Sequence, residues 1–131
     1  DLYHKVYLKA GIGHNIIYSL DGYDEISLTG KFRVLSEKED RLYAPEDLYL
    51  TLVNPDEIFG GSDVHEAAAI FARVLEGKGS TAQTNVIIAN ATFAIRCYSP
   101  EISLEDAAAM ARESIESGKA KASLEKLIRL Q

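Results

Sequence analysis

Residues 86–95 read VIIANATFAI, a run that is apolar nearly all round when wound as a helix. Such a helix is a buried one, so the fold must place other elements against it on more than one side. Ser80 or Thr81 caps its start and Pro100 breaks its end. Helices flank it in sequence. Asp63-Val-His-Glu66 has capping-box form, Ala67, Phe71, Val74 and Leu75 share one face, and Gly77 closes that segment. Ser103 opens a third helix with Leu104, Ala108, Ala111 and Ile115 on one side, and Gly118 stops it. Leu124, Leu127 and Ile128 stripe a last one.

The first half is different in kind. Leu2, Val6 and Ala10 recur at helical spacing, with Gly11 and Gly13 ending the segment. HNIIYSL at 14–20 has strand propensity, and Ile26, Leu28, Phe32 and Val34 continue an alternation that Gly30 interrupts. A charged turn at 37–40 precedes Leu42-Tyr43, a candidate hairpin partner. Two prolines and two glycines make 44–61 mostly irregular. The predicted order is a helix, about three strands, a loop and four helices, an α/β arrangement poor in strands beside the usual five or six. The helical half is expected to be the stable core and the strand half mobile.

The chain has 131 residues, 47% of them hydrophobic and 26% charged, which fits one packed domain. A net charge of −6 argues against a nucleic-acid module, whose footprint is a basic patch. No apolar run is long enough to predict a membrane span. The single cysteine, Cys97, excludes an internal disulfide and reads as a buried, reduced thiol of a cytoplasmic protein. His4, His14 and His65 read as structural or solvent-facing, with no two at metal-ligand spacing.

Residues 21–30, DGYDEISLTG, hold three carboxylates within five positions. Asp-Gly is a common turn pair, and a surface turn accounts for the pattern. A cation loop accounts for it too. Magnesium is hard, prefers oxygen, and is usually held by one or two carboxylates together with substrate phosphates. Ser19, Ser27 and Thr29 lie beside the acids and read mainly as hydroxyls bonded to backbone. Asn90, in the apolar helix, needs partners if buried and reads as a bridge to a neighbouring loop.

DGYDEISLTG resembles the signature segment of the anthranilate phosphoribosyltransferase family. The likeness continues through YAPEDLYL, through GGSDVHEAAAIFARVLEGKGSTAQTNVIIANATFAI, and through SLEDAAAMARESIESGKAKASLEKLIRL, so it covers nearly the whole chain. The resemblance implies the C-terminal portion of a phosphoribosyltransferase/nucleoside phosphorylase-like α/β domain. It implies that Asp24 and Glu25 bind Mg2+ on the diphosphate of phosphoribosyl pyrophosphate, and it carries no role onto Asp21. The implied reaction moves the 5-phosphoribosyl group to anthranilate in tryptophan biosynthesis, in a homodimeric cytoplasmic enzyme. Ala67 stands where the family pattern leads us to expect asparagine near Glu66, which bears on local helix contacts.

The family's glycine-rich phosphate loop, its Lys-His-Gly-Asn segment and its main anthranilate-binding arginine do not appear in these residues. We therefore expect residues 1–131 to be one incomplete α/β domain, the C-terminal fragment of a larger enzyme, and inactive alone. Two other readings stand beside this one. A nucleoside phosphorylase of the same broad fold would use phosphate as its nucleophile. A non-enzymatic relative would bind nucleic acid, which the acidic charge disfavours.

Overall fold

The computed structural model describes residues 2–130. Helix α1 spans Leu2–Ala10, strands β1, β2 and β3 span Asn15–Ser19, Phe32–Ser36 and Asp40–Tyr43, and helices α2 to α5 span Val64–Leu75, Thr81–Tyr98, Leu104–Glu116 and Lys119–Arg129. Two short 3-10 turns, Pro45–Leu48 and Pro55–Ile58, punctuate the irregular stretch. The expected order is therefore present, including the β3 hairpin and four helices after the loop.

The sheet is a small antiparallel meander in the order β1-β2-β3. Asn15 pairs with Ser36 and Ser19 with Phe32 on one side of β2, while Phe32 pairs with Tyr43 on the other. The alternation predicted across residues 26–34 is only half realised. Ile26 and Leu28 are buried, but they lie in a bent loop rather than a strand, and Leu28 has φ 61°. An L-residue in that left-handed region is uncommon and needs compensation. Here the compensation is complete burial of the Leu28 side chain and a backbone bond from Val53 N–H to Leu28 O at 3.0 Å.

One core joins the two halves. Ile26, Leu28, Phe32, Val34, Tyr43, Leu48 and Val53 pack against Ala82, Ala89 and Phe93 of α3. Phe32 and Tyr43 stack at 5.6 Å, and Phe93 meets both edge-on, at 5.7 and 5.2 Å. Most of the residues in this core come from the strands and loops, so the helical half does not form the core by itself. A second cluster, Ile88, Ala111 and Ile115, seats α4 on the opposite side of α3. The helix predicted to be buried all round keeps Ile87 and Ala94 exposed, so it is covered on two sides only.

Three predicted apolar faces meet less than expected. On α2 only Val74 is buried, and Phe71 stays 49% exposed. Leu127 and Ile128 of α5 are exposed, and α1 contributes no buried residue. Cys97 is half-buried rather than buried.

Helix starts follow the predicted caps. Asp63, Ser80 and Ser103 each accept a hydrogen bond from the backbone N–H three residues on. Glu66 departs from the capping-box pattern: its carboxylate takes bonds from the N–H and hydroxyl of Ser62 rather than from the cap residue. Those bonds hold it below the usual glutamate range.

Helix α5 is tied by charge to the end of α2. Lys121 and Lys78 both donate to Glu76, holding its carboxyl down at about 2. A carboxylate whose folded pKa lies below its unfolded one stabilises above the unfolded value, near 4.5, and loses that contribution as pH falls toward 2. Amide exchange in α5 should therefore accelerate, relative to α3, between about pH 5 and pH 2. In Glu76→Gln the excess acceleration should disappear.

The aromatic cluster gives a second expectation. Phe93→Ala removes the ring that locks α3 to both β2 and β3, and it should cost about 3–5 kcal/mol in urea unfolding. A loss below about 1 kcal/mol would mean that the helix and sheet are held by other contacts.

Candidate cation-binding loop

The segment between β1 and β2 carries the acidic residues. Its base is closed by Leu20 N–H donating to Lys31 O at 2.9 Å, and its first turn by Ser19 N–H donating to Tyr23 O at 2.9 Å. Gly22 sits at φ 103°, a conformation that disfavours any side chain, so the Asp-Gly pair does make a tight turn. The acids then divide. Asp21 is engaged, because its Oδ2 accepts a hydrogen bond from the Thr29 hydroxyl. Asp24 and Glu25 are exposed, and neither carboxylate makes a hydrogen bond or ion pair among the described residues.

The residues just after the pair point the other way. Ile26, Ser27 and Leu28 are fully or nearly fully buried. The pair therefore stands at the lip of a segment whose next three side chains are sunk in the core. Asn90 reaches across from α3 to the backbone of Ile26, accepting from its N–H at 3.0 Å and donating to its carbonyl at 2.8 Å. Its second amide proton bonds Val86 O at 2.9 Å. The bridge expected of Asn90 is thus present. Ser19 Oγ donates to Glu25 O at 2.7 Å, lies 3.1 Å from Ser27 Oγ, and Ser27 Oγ lies 2.7 Å from Thr29 Oγ1. Ser19 and Ser27 thus meet backbone as expected, whereas the Thr29 hydroxyl bonds the side chains of Ser27 and Asp21.

Of the basic residues beside the loop, Lys31 and Arg33, only Arg33 is engaged. Arg33 makes two parallel bonds to Asp40, both 2.7 Å, and a third to the Tyr18 hydroxyl at 3.0 Å. This fork raises the Arg33 pKa and lowers that of Asp40. Lys31 is exposed. One pairing escaped the sequence. His4 Nδ1 and His14 Nε2 approach to 2.8 Å, and His14 Nδ1 bonds Ile12 O at 2.8 Å. The two histidines are ten residues apart, and only the fold of α1 over the start of β1 brings them together. Among the described residues no group of three or more His, Cys, Asp or Glu side chains is arranged to hold a metal.

The donor set at Asp24 and Glu25 nonetheless suits one kind of ion. Two hard oxygen carboxylates, open to solvent and free of internal partners, leave most of a coordination sphere to water and phosphate, which is how magnesium is commonly held. A soft or fully caged ion would need more protein ligands than these.

Comparison with known proteins places this loop in a family. The model of the glycosyl transferase family, a/b domain, matches residues 2–121. The chain belongs to that family. Anthranilate phosphoribosyltransferase from Phocaeicola vulgatus is 44% identical over 129 residues, covering 98% of the chain and 39% of the relative. The protein of the same name from Cytophaga hutchinsonii is 48% identical over 119 residues, covering 91% of the chain and 36% of its own length. The chain thus spans about two-fifths of these relatives.

Among solved structures, the glycosyl transferase fold is matched by anthranilate phosphoribosyltransferase of Thermus thermophilus, with TM-score 0.84, 26% identity, and coverage of 94% of this chain and 37% of that one. The Saccharomyces cerevisiae enzyme in complex with PRPP and Mg shares the fold, with TM-score 0.80, 23% identity, and coverage of 94% and 36%. The fold class is therefore the α/β one that the resemblance implied.

If the Asp21–Thr29 bond fastens the loop, Asp21→Ala should cost about 1 kcal/mol and speed exchange of the amides at 27–29. Exchange in α4 should not change. An unaltered loop would show that the buried side chains hold it unaided.

Proposed function

We propose that this α/β unit works as the C-terminal part of a longer enzyme, one that transfers the 5-phosphoribosyl group of phosphoribosyl pyrophosphate to the amino group of anthranilate. The observation that carries the reading is the pair Asp24 and Glu25, exposed and without a partner among the described residues on an otherwise internally bonded loop, in a chain that matches enzymes of that name along 98% of its length. In the transfer the bond from the ribose carbon to the diphosphate breaks and a bond to the amine nitrogen forms. A bound magnesium ion supplies positive charge where the leaving diphosphate gathers negative charge. Asp24 and Glu25 are the residues we assign to hold it, directly or through a coordinated water.

Other parts of the reading rest on the family likeness. We assign the longer enzyme to the cytoplasm and to a homodimer; among the described residues no helix is long and apolar enough to cross a membrane. The 131 residues by themselves should not sustain turnover, because they offer one carboxylate pair and none of the family's phosphate-loop or anthranilate-site motifs. With anthranilate, phosphoribosyl pyrophosphate and magnesium, anthranilate fluorescence should stay constant. Steady loss of fluorescence would overturn this view of the chain.

The ion reading is tested on the same chain with manganese, a paramagnetic probe that carboxylate sites accept. Added MnCl2 should broaden the amide signals of Asp24 and Glu25 first, and Asp24→Asn with Glu25→Gln should abolish that selectivity. Thermal unfolding should shift little, since both positions are exposed surface sites worth about ±0.5 kcal/mol. Broadening that ignores the loop, or persists in the double variant, would mean that the acids only decorate a turn.

A further inference from the structure

Two consecutive peptide units follow the carboxylate pair, and side chains rather than strand or helix ladders satisfy them. In the unit joining Glu25 to Ile26, the carbonyl accepts from Ser19 Oγ at 2.7 Å and the N–H donates to Asn90 Oδ1 at 3.0 Å. In the unit joining Ile26 to Ser27 the partners exchange: the carbonyl accepts from Asn90 Nδ2 at 2.8 Å and the N–H donates to Ser19 Oγ at 3.3 Å. Each side chain thus grips one donor and one acceptor on opposite sides of Ile26. Ser19 is 4% exposed and Ile26 is fully buried, so water does not substitute easily for either partner.

Both clamps are themselves fixed. Asn90 sits mid-way along α3, and its spare proton is tied to Val86 O at 2.9 Å. Ser19 ends β1, where its Cα pairs with that of Phe32. Through Ser27 and Thr29 its hydroxyl is also linked to Asp21, the first acid of the loop.

We propose that Asn90 and Ser19 are positioning residues for the Asp24–Glu25 pair, setting the backbone from which both carboxylates project so that they meet one cation together. This rests on the reading of that pair as cation ligands. An exposed two-carboxylate site binds more tightly when its backbone is already ordered, because two freely moving acids would each have to be immobilised by the ion. Neither residue touches the ion. Each acts on the backbone beside the ligands rather than on a carboxylate, one step further out than the hydrogen-bond partners whose removal commonly weakens metal sites. Neither carries a charge, so neither changes the net attraction for a cation. An effect on affinity from removing them must therefore come through geometry.

The experiment uses the full chain with MnCl2 as the probe and the broadening of the Asp24 and Glu25 amides as the readout. Ser19→Ala removes one hydroxyl and leaves the sheet and both acids in place. Asn90→Ala removes the other clamp. In each folded variant, shown by unchanged amide shifts in β3 and α4, the apparent manganese affinity should fall about tenfold. The Asn90→Gln variant, which keeps the amide but displaces it by one methylene, should not restore the affinity.

Should Asn90→Ala fail to fold, Ser19→Ala decides alone. Wild-type affinity in the folded clamp variants would overturn the positioning role while leaving the ion site intact. Absence of loop-selective broadening in the wild-type chain would instead overturn the ion reading, and this proposal with it.

Discussion

The edge-on meeting of Phe93 with the stacked pair Phe32 and Tyr43 is the contact on which the rest of this fold depends. A three-stranded antiparallel sheet with one apolar face buries that face against another layer. Helix α3 is that layer, and Phe93 is its deepest insertion, fully buried against two strands that pair Phe32 with Tyr43. Aromatic rings in this edge-to-face arrangement gain from the opposed signs of ring edge and ring face, beyond the area they bury. The cluster therefore fixes both the distance and the rotation of α3 over the sheet.

That rotation has a consequence one helical turn away. Asn90 precedes Phe93 by three residues and so lies on the same face of α3. With Phe93 seated, Asn90 is delivered to the backbone of Ile26, and its amide meets both polar groups of that residue. Asn15, on β1, donates in turn to Phe93 O at 2.7 Å. The loop bearing Asp24 and Glu25 is thus held by the core helix and by the strand before it. A part of the chain that reads as a flexible acidic turn is, in its second half, continuous with the core.

Much of this was legible in the residues. Capping residues marked the starts of α2, α3 and α4 because the groups that start a helix act locally, within three or four positions, while α5 was marked by its apolar stripe alone. The segment 21–30 announced itself by composition, and Asn90 by being polar in an apolar run. Other features were hidden because they depend on partners far along the chain. Leu28 and Ile26 looked like strand residues because alternation of burial is the same whether a backbone is extended or bent. The His4–His14 contact needed the path of the chain through Gly11 and Gly13. The exposure of Phe71 and Leu127 could not be read from their spacing, since an apolar stripe states what a helix can bury and not what lies over it.

By itself, then, the sequence determined the order of elements, the caps that start α2, α3 and α4, the α/β class and the presence of adjacent acids beside a tight turn, since each is written in neighbouring residues. Tertiary structure alone decided which acids are free. Asp21 is bonded to Thr29, while Asp24 and Glu25 stand at the lip of the core with no partner among the described residues. In the sequence the three carboxylates are chemically alike. They differ in the fold because a hydroxyl eight residues on reaches the first, whereas among the described residues no side chain bonds the carboxylates of the other two.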